Sequence, residues 1–329
     1  MKNLLYIAIC FFLISCQTNN KAKTIEGFAI GTTYSIKYIS NNEINFESKI
    51  DSIVKAINKS TSTYIETSDI SKINNGDSTV VVDEHFKNVF KKSKRIYNET
   101  NGYFDPTVGV LVNAWGFGPE KNIETVDSLK IDSLLKFVGF NKVELLQNNT
   151  VKKIFPEIYF DFNAIGKGYL VDCVGRMFEE NGVANYMVEI GGEIRAQGIN
   201  ENKKPWRIAI ENPNFDGTRS LAEIIELNNE SIATSGNYRK FRIDSLGNKF
   251  VHTINPKTGY AKESNLLSAS VIANMDCADV DGYATAFMAM GLDKTKAFLT
   301  QHPELKALLI YANENGELAI YKTDNLVTQ

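Results

Sequence analysis

The sequence predicts an α+β fold in which mixed and antiparallel sheets pack against helices in a single two-lobed unit. Segments with the two-residue alternation of strands are mixed with segments of helical spacing, and the strands outnumber clean βαβ units. The 329 residues are 43% apolar and 23% charged, close to globular averages, so most of the chain is expected to bury a core. No internal repeat, proline-rich linker or long run of charge divides residues 25–329, which indicates one unit.

The individual elements follow from hydrophobic spacing and from capping residues. Residues 34–39 alternate like a half-buried strand. Apolar residues at helical spacing predict one helix over 46–57 and another after Asp83, which is a suitable N-cap. A third helix is expected from about Gly166 to Gly182, a natural C′ residue. Further strands are expected at 186–189, 207–210, 250–254, 268–272 and 308–311, with a helix at 276–290 among them.

The charge and the metal-ligand content exclude several classes of protein. With 36 basic and 39 acidic side chains the net charge is −3, so the electrostatic signature of nucleic-acid binding is missing. Four cysteines are too few for a disulfide scaffold, and three histidines without a CxxC or HExxH motif make a zinc site improbable. Cys173 and Cys277 fall in predicted helices and are expected to be buried free thiols rather than a disulfide.

The N-terminus has the features of a lipoprotein export signal. After Lys2, residues 4–14 form an apolar run that is too short to span a membrane, which takes ~20 residues. The sequence Leu13-Ile14-Ser15-Cys16 at its end resembles a bacterial lipobox. We therefore expect residues 1–15 to be removed, Cys16 to carry the lipid and residues 16–24 to form a polar tether. The alternatives are an ordinary cleaved signal and a buried N-terminal helix.

Some stretches are richer in glycine and polar residues than their apolar surroundings: 101–109 with 113–119, 160–169, 189–198, 232–239 with 252–260, and 276–291. In the first stretch, Tyr103, Phe104 and Asp105 lie among glycines, which suits either a contact with a planar ligand or a well-packed turn. In the second, a strand is expected to end at Asp161, and a Gly-Lys-Gly turn around Lys167 to open a helix. Amide groups and an ammonium at that place suit a phosphate.

The remaining stretches contain candidates for proton transfer and for metal binding. Gly191-Gly192 at a strand end indicates a bulge or a close approach to a ligand. His252 could transfer a proton, although a lone histidine is more often structural. Asp281 and Thr285 are one helical turn apart and offer the hard oxygen ligands that Mg²⁺ prefers. The alternative for that pair is a solvated helix edge.

In their order and spacing these stretches resemble the ApbE family, the FAD:protein FMN transferases of the bacterial periplasm. The resemblance runs from about Gly27 to Gly291. It begins with Ile30-Gly31-Thr32-Thr33-Tyr34, continues through residues 62–64 and 68–74, and then includes all the stretches above. The family commonly carries a lipobox, which agrees with Cys16.

The resemblance implies Mg²⁺-dependent transfer of FMN from FAD to a Thr or Ser hydroxyl of a target protein, through a phosphoester bond and with release of AMP. The implied FAD contacts are Ile30, Tyr64, Tyr103, Phe104, Asp105, Asp161, Lys167 and Ile254. The implied Mg²⁺ ligands are the Ala164 carbonyl, Asp281 and Thr285, and either His252 or Asp281 is the implied base. The implied partner is a flavoprotein such as a subunit of a membrane redox pump, and the implied location is the periplasmic face of the inner or outer membrane.

The sequence departs from the family pattern at several of these positions. Ile30 stands where the family often has methionine, Ala164 where it often has glycine, and Asn237 where it often has aspartate. Some homologues carry a second acid where this chain has Ala284, which indicates that water completes the metal shell. Two other functions stay open: an Mg²⁺-dependent FAD pyrophosphatase with water as the acceptor, and a non-catalytic, lipid-anchored flavin-binding protein.

Overall fold

The computed structural model describes residues 21–41, 43–119, 126–214, 218, 220–237, 241–243, 249–261 and 264–328. The predicted signal peptide, with Cys16, lies outside these residues. The first strand begins at Lys23, inside the segment that was expected to be a tether. Within the described ranges, no helix is both long and apolar enough to cross a membrane.

The helices and strands alternate along the chain as the mixed pattern of the sequence predicts. The helices of the described part are α1 (Phe46–Thr61), α2 (Asp69–Asn74), α3 (Glu84–Glu99), α4 (Gly109–Ala114), α5 (Ser128–Leu135), α6 (Asn163–Glu180), α7 (Cys277–Met290) and α8 (Leu292–Gln301), with a 3₁₀ turn at Phe140–Lys142. The strands are β1 (Lys23–Ala29), β2 (Thr32–Ile39), β3 (Val143–Leu145), β4 (Val151–Lys153), β5 (Asn185–Ile190), β6 (Glu193–Gln197), β7 (Trp206–Glu211), β8 (Leu221–Leu227), β9 (Ser231–Gly236), β10 (Phe241–Ile243), β11 (Lys249–Val251), β12 (Leu266–Ala273), β13 (Lys306–Ala312) and β14 (Leu318–Lys322).

One eight-stranded sheet organises the fold, in the order β1-β2-β5-β6-β9-β12-β13-β14. Its neighbouring strands are antiparallel, and β3–β4, β7–β8 and β10–β11 form separate antiparallel pairs. In the described residues the one parallel pairing is an isolated bridge between Val108 and Tyr159. The predicted α+β class is therefore confirmed.

The central strands are buried on both faces, which explains their long apolar runs. Ala269 and Val271 of β12 belong to the main core. The next residue, Ile272, points to the opposite face of the sheet and belongs to a second cluster. Leu308 and Leu309 of β13 divide in the same way. Because side chains alternate across a strand, each strand supplies both clusters. Helices α6 and α7 pack on the first face, and the β7–β8 pair contributes to the second cluster.

Local capping explains where most predicted helices begin and end. The Asp83 side chain accepts a hydrogen bond from the Phe86 N–H at 2.9 Å and begins α3, as predicted. Gly182, just beyond α6, has φ +73°, which confirms its role as the C′ residue. The strand expected over 250–254 ends at Val251, since Asn255 starts a tight turn in which its carbonyl accepts from the Gly259 N–H at 2.8 Å. Cys173 and Cys277 are free thiols in α6 and α7, as predicted; Cys277 is buried, whereas Cys173 is only partly buried.

Candidate active site

The contact between α6 and α7 forms the centre of the candidate site. A Cβ on Gly168 would lie 2.5 Å from the Cys277 carbonyl oxygen, so the two helices can approach only because residue 168 is glycine. Asp281, 2% exposed, accepts a hydrogen bond from the Gly168 N–H at 3.0 Å. In a regular α-helix that N–H bonds to the carbonyl of Ala164, four residues earlier. Asp281 therefore competes with Ala164 for this N–H, and the Ala164 oxygen has capacity for another partner.

Asp281 and Thr285 occupy successive turns of α7, as predicted. The Thr285 hydroxyl lies 3.3 Å from the Ser235 hydroxyl of β9. Burial raises the pKa of Asp281, and the neighbouring Lys167 opposes this rise. With the Ala164 carbonyl, a carboxylate and a hydroxyl make a set of hard oxygen donors, which fits Mg²⁺. Across the described ranges, no group of three or more His, Cys, Asp or Glu is placed to hold a metal ion. Mg²⁺ usually binds one or two carboxylates together with waters and substrate phosphates, so a magnesium ion at this set would take further ligands from water or substrate.

Lys167 is held in this centre by a residue that the sequence reasoning did not single out. Its ammonium forms an ion pair with Glu193, the first residue of β6 after the Gly191-Gly192 turn. Burial raises the pKa of Glu193 to about 7, with Lys167 lowering it and Asp281 raising it further. Burial disfavours the charged form of Lys167, but Glu193 and Asp281 outweigh that effect and raise its pKa, so Lys167 stays cationic. An acidic residue directly after a Gly-Gly pair was the signal in the sequence.

The tip of the β1–β2 hairpin borders the same centre. Ile30 and Gly31 form its two-residue turn, with φ +44° and +80°, between the paired residues Ala29 and Thr32. A Cβ on Gly191 would lie 2.8 Å from the Thr32 methyl carbon and 3.3 Å from Cδ of Lys167. A β-branched residue with positive φ is strained by about 1–3 kcal/mol, and such strain clusters at functional sites.

The start of α6 differs from the prediction, because the helix begins at Asn163 and Gly166-Lys167-Gly168 lies within it rather than in a turn. The reason is local: the Asp161 carboxylate accepts from the Asn163 N–H at 2.7 Å and stabilises an earlier first turn. The expected strand ending at Asp161 is limited to the isolated bridge at Tyr159. In this first turn the Asn163 N–H is taken by Asp161 and the Ile165 N–H donates to the Phe162 carbonyl at 3.1 Å, so these two amides are not open to an anion.

Asp161 lies between two other predicted contact regions. Its N–H donates to the Pro106 carbonyl at 2.7 Å, which joins it to the segment around Tyr103. Burial raises the pKa of Asp161. Tyr64 is 64% exposed, and its pKa is raised by partial burial and by the charge of Asp161. The side-chain amide of Asn74 donates to the Phe160 carbonyl at 2.9 Å and accepts from the Phe160 N–H at 2.7 Å. These two bonds hold the segment that leads into α6.

The turn at 255–259 closes the arrangement. The Lys257 ammonium is 5.9 Å from the centre of the Tyr103 ring. The Trp115 indole N–H donates to the Gly259 carbonyl at 2.8 Å, and the Asn255 amide donates to the Ala289 carbonyl of α7 at 3.1 Å. All the predicted stretches are thus connected around α6 and α7.

Three predicted FAD contacts, namely Phe104, Asp105 and Ile254, have side chains in the protein interior. Phe104 belongs to the main core and Ile254 to a smaller cluster. The Asp105 carboxylate accepts from the Thr107 N–H at 2.9 Å and from the Thr107 hydroxyl at 2.6 Å, and burial raises its pKa to about 6. Because these side chains point into the protein, a ligand would contact Phe104, Asp105 and Ile254 through their backbone atoms. His252 is half-buried and directly follows β11.

The chain is similar in sequence and in fold to several known proteins. The sequence profile of the ApbE family matches residues 30–309. The FAD:protein FMN transferases of Haemophilus influenzae and Vibrio cholerae are each 36% identical over 96% of this chain, and the matches cover 94% and 96% of their lengths. The solved flavin transferase ApbE from Vibrio cholerae has a TM-score of 0.81 at 35% identity, covering 92% of this chain and 98% of that one. The apo form of the Pseudomonas stutzeri flavinyl transferase ApbE has a TM-score of 0.82 at 28% identity, covering 92% and 95%.

Proposed function

The chain belongs to the ApbE family, and from this premise we propose that it transfers FMN from FAD to a hydroxyl side chain of a partner protein, with release of AMP. The observation that carries the proposal is the junction of α6 and α7. There Asp281 accepts from the Gly168 N–H, and the Lys167 ammonium lies in the field of Asp281. A cation and an oxygen-ligand set side by side suit the charged diphosphate of FAD.

We propose that Asp281, Thr285 and the Ala164 carbonyl hold Mg²⁺. Bound there, the ion would neutralise charge on the diphosphate and on the phosphoryl group in transfer. Lys167 supplies a second positive charge from the chain itself, near the positive end of the α6 dipole. The site needs no strongly basic surface, which agrees with the net charge of −3.

The acceptor hydroxyl comes from the partner protein, so the chain needs no nucleophile of its own. In the transfer, the acceptor oxygen forms a bond to the FMN phosphorus, the bond from that phosphorus to the bridging oxygen breaks, and AMP leaves with the bridging oxygen. The proton of the acceptor hydroxyl passes to a base, for which His252 and Asp281 are the two candidates.

The flavin ring is proposed to lie between the β1–β2 hairpin tip and the segments that carry Tyr64 and Tyr103. Ile30 offers an apolar, partly buried side chain at that tip, while Tyr64 and Tyr103 offer rings that are not fully buried. Asp161, which lies between the segments of Tyr64 and Tyr103, offers a hydrogen-bond acceptor.

We also propose that Cys16 carries a lipid that anchors the protein to a membrane, facing the periplasm and its flavoprotein partners. The support is the sequence of the lipobox, which lies outside the described residues. A variant that begins at Gln17, and so lacks both the apolar run and Cys16, should be recovered outside the membrane fraction and should transfer FMN like the full-length protein.

Incubation with FAD and an acceptor protein, with and without Mg²⁺, tests the proposed reaction. Transfer predicts covalent flavin that survives denaturation, formed together with an equal amount of AMP and dependent on Mg²⁺. A hydrolase would release free FMN in the presence of the same acceptor. A flavin-binding protein would leave FAD intact, and either of these results would contradict the proposal.

A further inference from the structure

We infer that Glu193 is a positioning residue that fixes the Lys167 ammonium beside Asp281. The inference rests on the proposed function and deepens it, because it names the group that sets where Lys167 presents its charge. The ion pair joins the second turn of α6 to the first residue of β6, two elements that are distant in sequence.

Glu193 has few alternatives to Lys167 as a partner. Its side chain is 2% exposed, and in the described residues its Oε2 atom has no hydrogen-bond partner. Because a buried ionised carboxylate is costly unless it is paired, the Lys167 ammonium is the group that stabilises the charged form of Glu193. The pair therefore constrains both residues.

Lys167 in turn needs to be held. Its long side chain is flexible, and its position near the start of α6 places a cation at the unfavourable end of the helix dipole. Gly191 leaves room for the stem, since a Cβ there would come within 3.3 Å of Cδ of Lys167. The stem thus runs past Gly191, and the ammonium ends at Glu193. Because the Lys167 side chain is 32% exposed and an ammonium has three donors, donors remain for a phosphate of the ligand.

The charge balance gives the pair a consequence for the metal site. Lys167 lies in the field of both Glu193 and Asp281. When the charge of Glu193 is removed, Asp281 is left as the anion for Lys167, and a direct pair between them would occupy the carboxylate that we propose binds Mg²⁺. Glu193 therefore keeps Lys167 directed to the ligand and Asp281 available to the metal.

The test compares Glu193→Gln with Glu189→Gln, a control on the same turn. Glu189 accepts from the Gly192 N–H at 2.7 Å, a bond that glutamine can also accept. Residues that orient metal ligands from outside the coordination shell typically contribute about 10–100-fold to activity or metal affinity. E193Q should therefore lower kcat by about that factor and raise the Mg²⁺ concentration that gives half-maximal transfer. E189Q should retain normal kcat and Mg²⁺ dependence. Equal behaviour of the two variants would overturn the inference.

A double-mutant cycle separates positioning from general damage to the fold. If Glu193 acts through Lys167, E193Q should cost less than about threefold in a Lys167→Met background. The same large loss in both backgrounds would show that Glu193 acts independently and would contradict the inference. Glu193→Asp, which keeps the charge, should recover part of the kcat lost in E193Q.

A readout without turnover uses the metal-free protein. Lys167 acylation by an amine-reactive reagent, followed by peptide mass spectrometry across pH, reports how firmly the ammonium holds its proton. Lys167 should react at lower pH in E193Q than in the wild type or in E189Q. An unchanged Lys167 profile in a folded E193Q variant would refute the inference.

Discussion

Replacement of Ile30 by asparagine should stabilise the free protein and weaken its binding of FAD. Ile30 has φ +44° at the first position of a two-residue hairpin turn, followed by Gly31 at φ +80°. Asn-Gly is the preferred sequence for such a turn, because asparagine tolerates the left-handed region. The isoleucine side chain is partly buried against the main core, two residues before Thr32, which lies next to Gly191 of the candidate site.

The expected size follows from two opposing terms. The left-handed conformation costs a β-branched residue roughly 1–2 kcal/mol, which Ile30→Asn would largely recover. Loss of a partly buried isoleucine costs about 0.5–1 kcal/mol, taken as a fraction of full burial. The net gain is about 0.5–1 kcal/mol, equivalent to an increase in Tm of about 1–3 °C. Loss of an apolar contact with the flavin should weaken FAD binding by about tenfold.

Thermal unfolding with and without FAD measures both effects in one experiment. Lys203→Asn is the matched control, since Lys203 has φ +59° in an exposed turn away from the site. Both variants should unfold at a higher temperature than the wild type in the absence of FAD, and only Ile30→Asn should show a smaller stabilisation by FAD. A less stable Ile30→Asn protein would contradict the strain at Ile30, and one that binds FAD normally would contradict its contact with the flavin.

Two further predictions concern packing and pH. Gly168→Ala should cost about 1–3 kcal/mol of stability and weaken Mg²⁺-dependent activity, because its Cβ would meet the Cys277 carbonyl at 2.5 Å and separate α6 from α7. Chemical denaturation measures this loss, and an unchanged free energy of unfolding would contradict the close approach of the two helices. The pKa of Asp105 is raised from 3.8 to about 6, so its neutral form is favoured by folding. Its contribution to stability is complete below about pH 4 and is lost as the pH rises through 6, a change of about 3 kcal/mol. Asp105→Asn should remove this part of the pH dependence of the free energy of unfolding, and an unaltered pH profile would show that another group is responsible.

Local signals in the sequence predicted many elements correctly. Asp83 and Gly182 mark helix ends because capping depends on a few neighbouring atoms. The strand β12 was recognised because both of its faces are apolar. The outer strands β1 and β14 were not predicted, since an edge strand carries polar and charged residues on its exposed positions and lacks that apolar run.

The site shows the same division between local and distant information. Asp281 and Thr285 could be paired from sequence because one helix holds both. The role of Glu193 could not be assigned from sequence, since it depends on the ion pair with Lys167. That pair forms only because the fold brings β6 next to the start of α6. Phe104 and Asp105 were recognised as a motif, but only the fold shows that their side chains are internal.

The proposed Mg²⁺ site at Asp281 is tested most directly by an Mg²⁺ titration of FMN transfer by the wild type, Asp281→Asn and Asp293→Asn. Asp293 is an exposed acid in the first turn of α8 and controls for the loss of one negative charge. The wild type and Asp293→Asn should both show saturable dependence on Mg²⁺. Asp281→Asn, although folded, should lose transfer by at least about 100-fold at all Mg²⁺ concentrations, as expected when a charged metal ligand is removed. Transfer by the wild type without any divalent cation, or an Asp281→Asn protein with normal Mg²⁺ dependence, would contradict the proposed site.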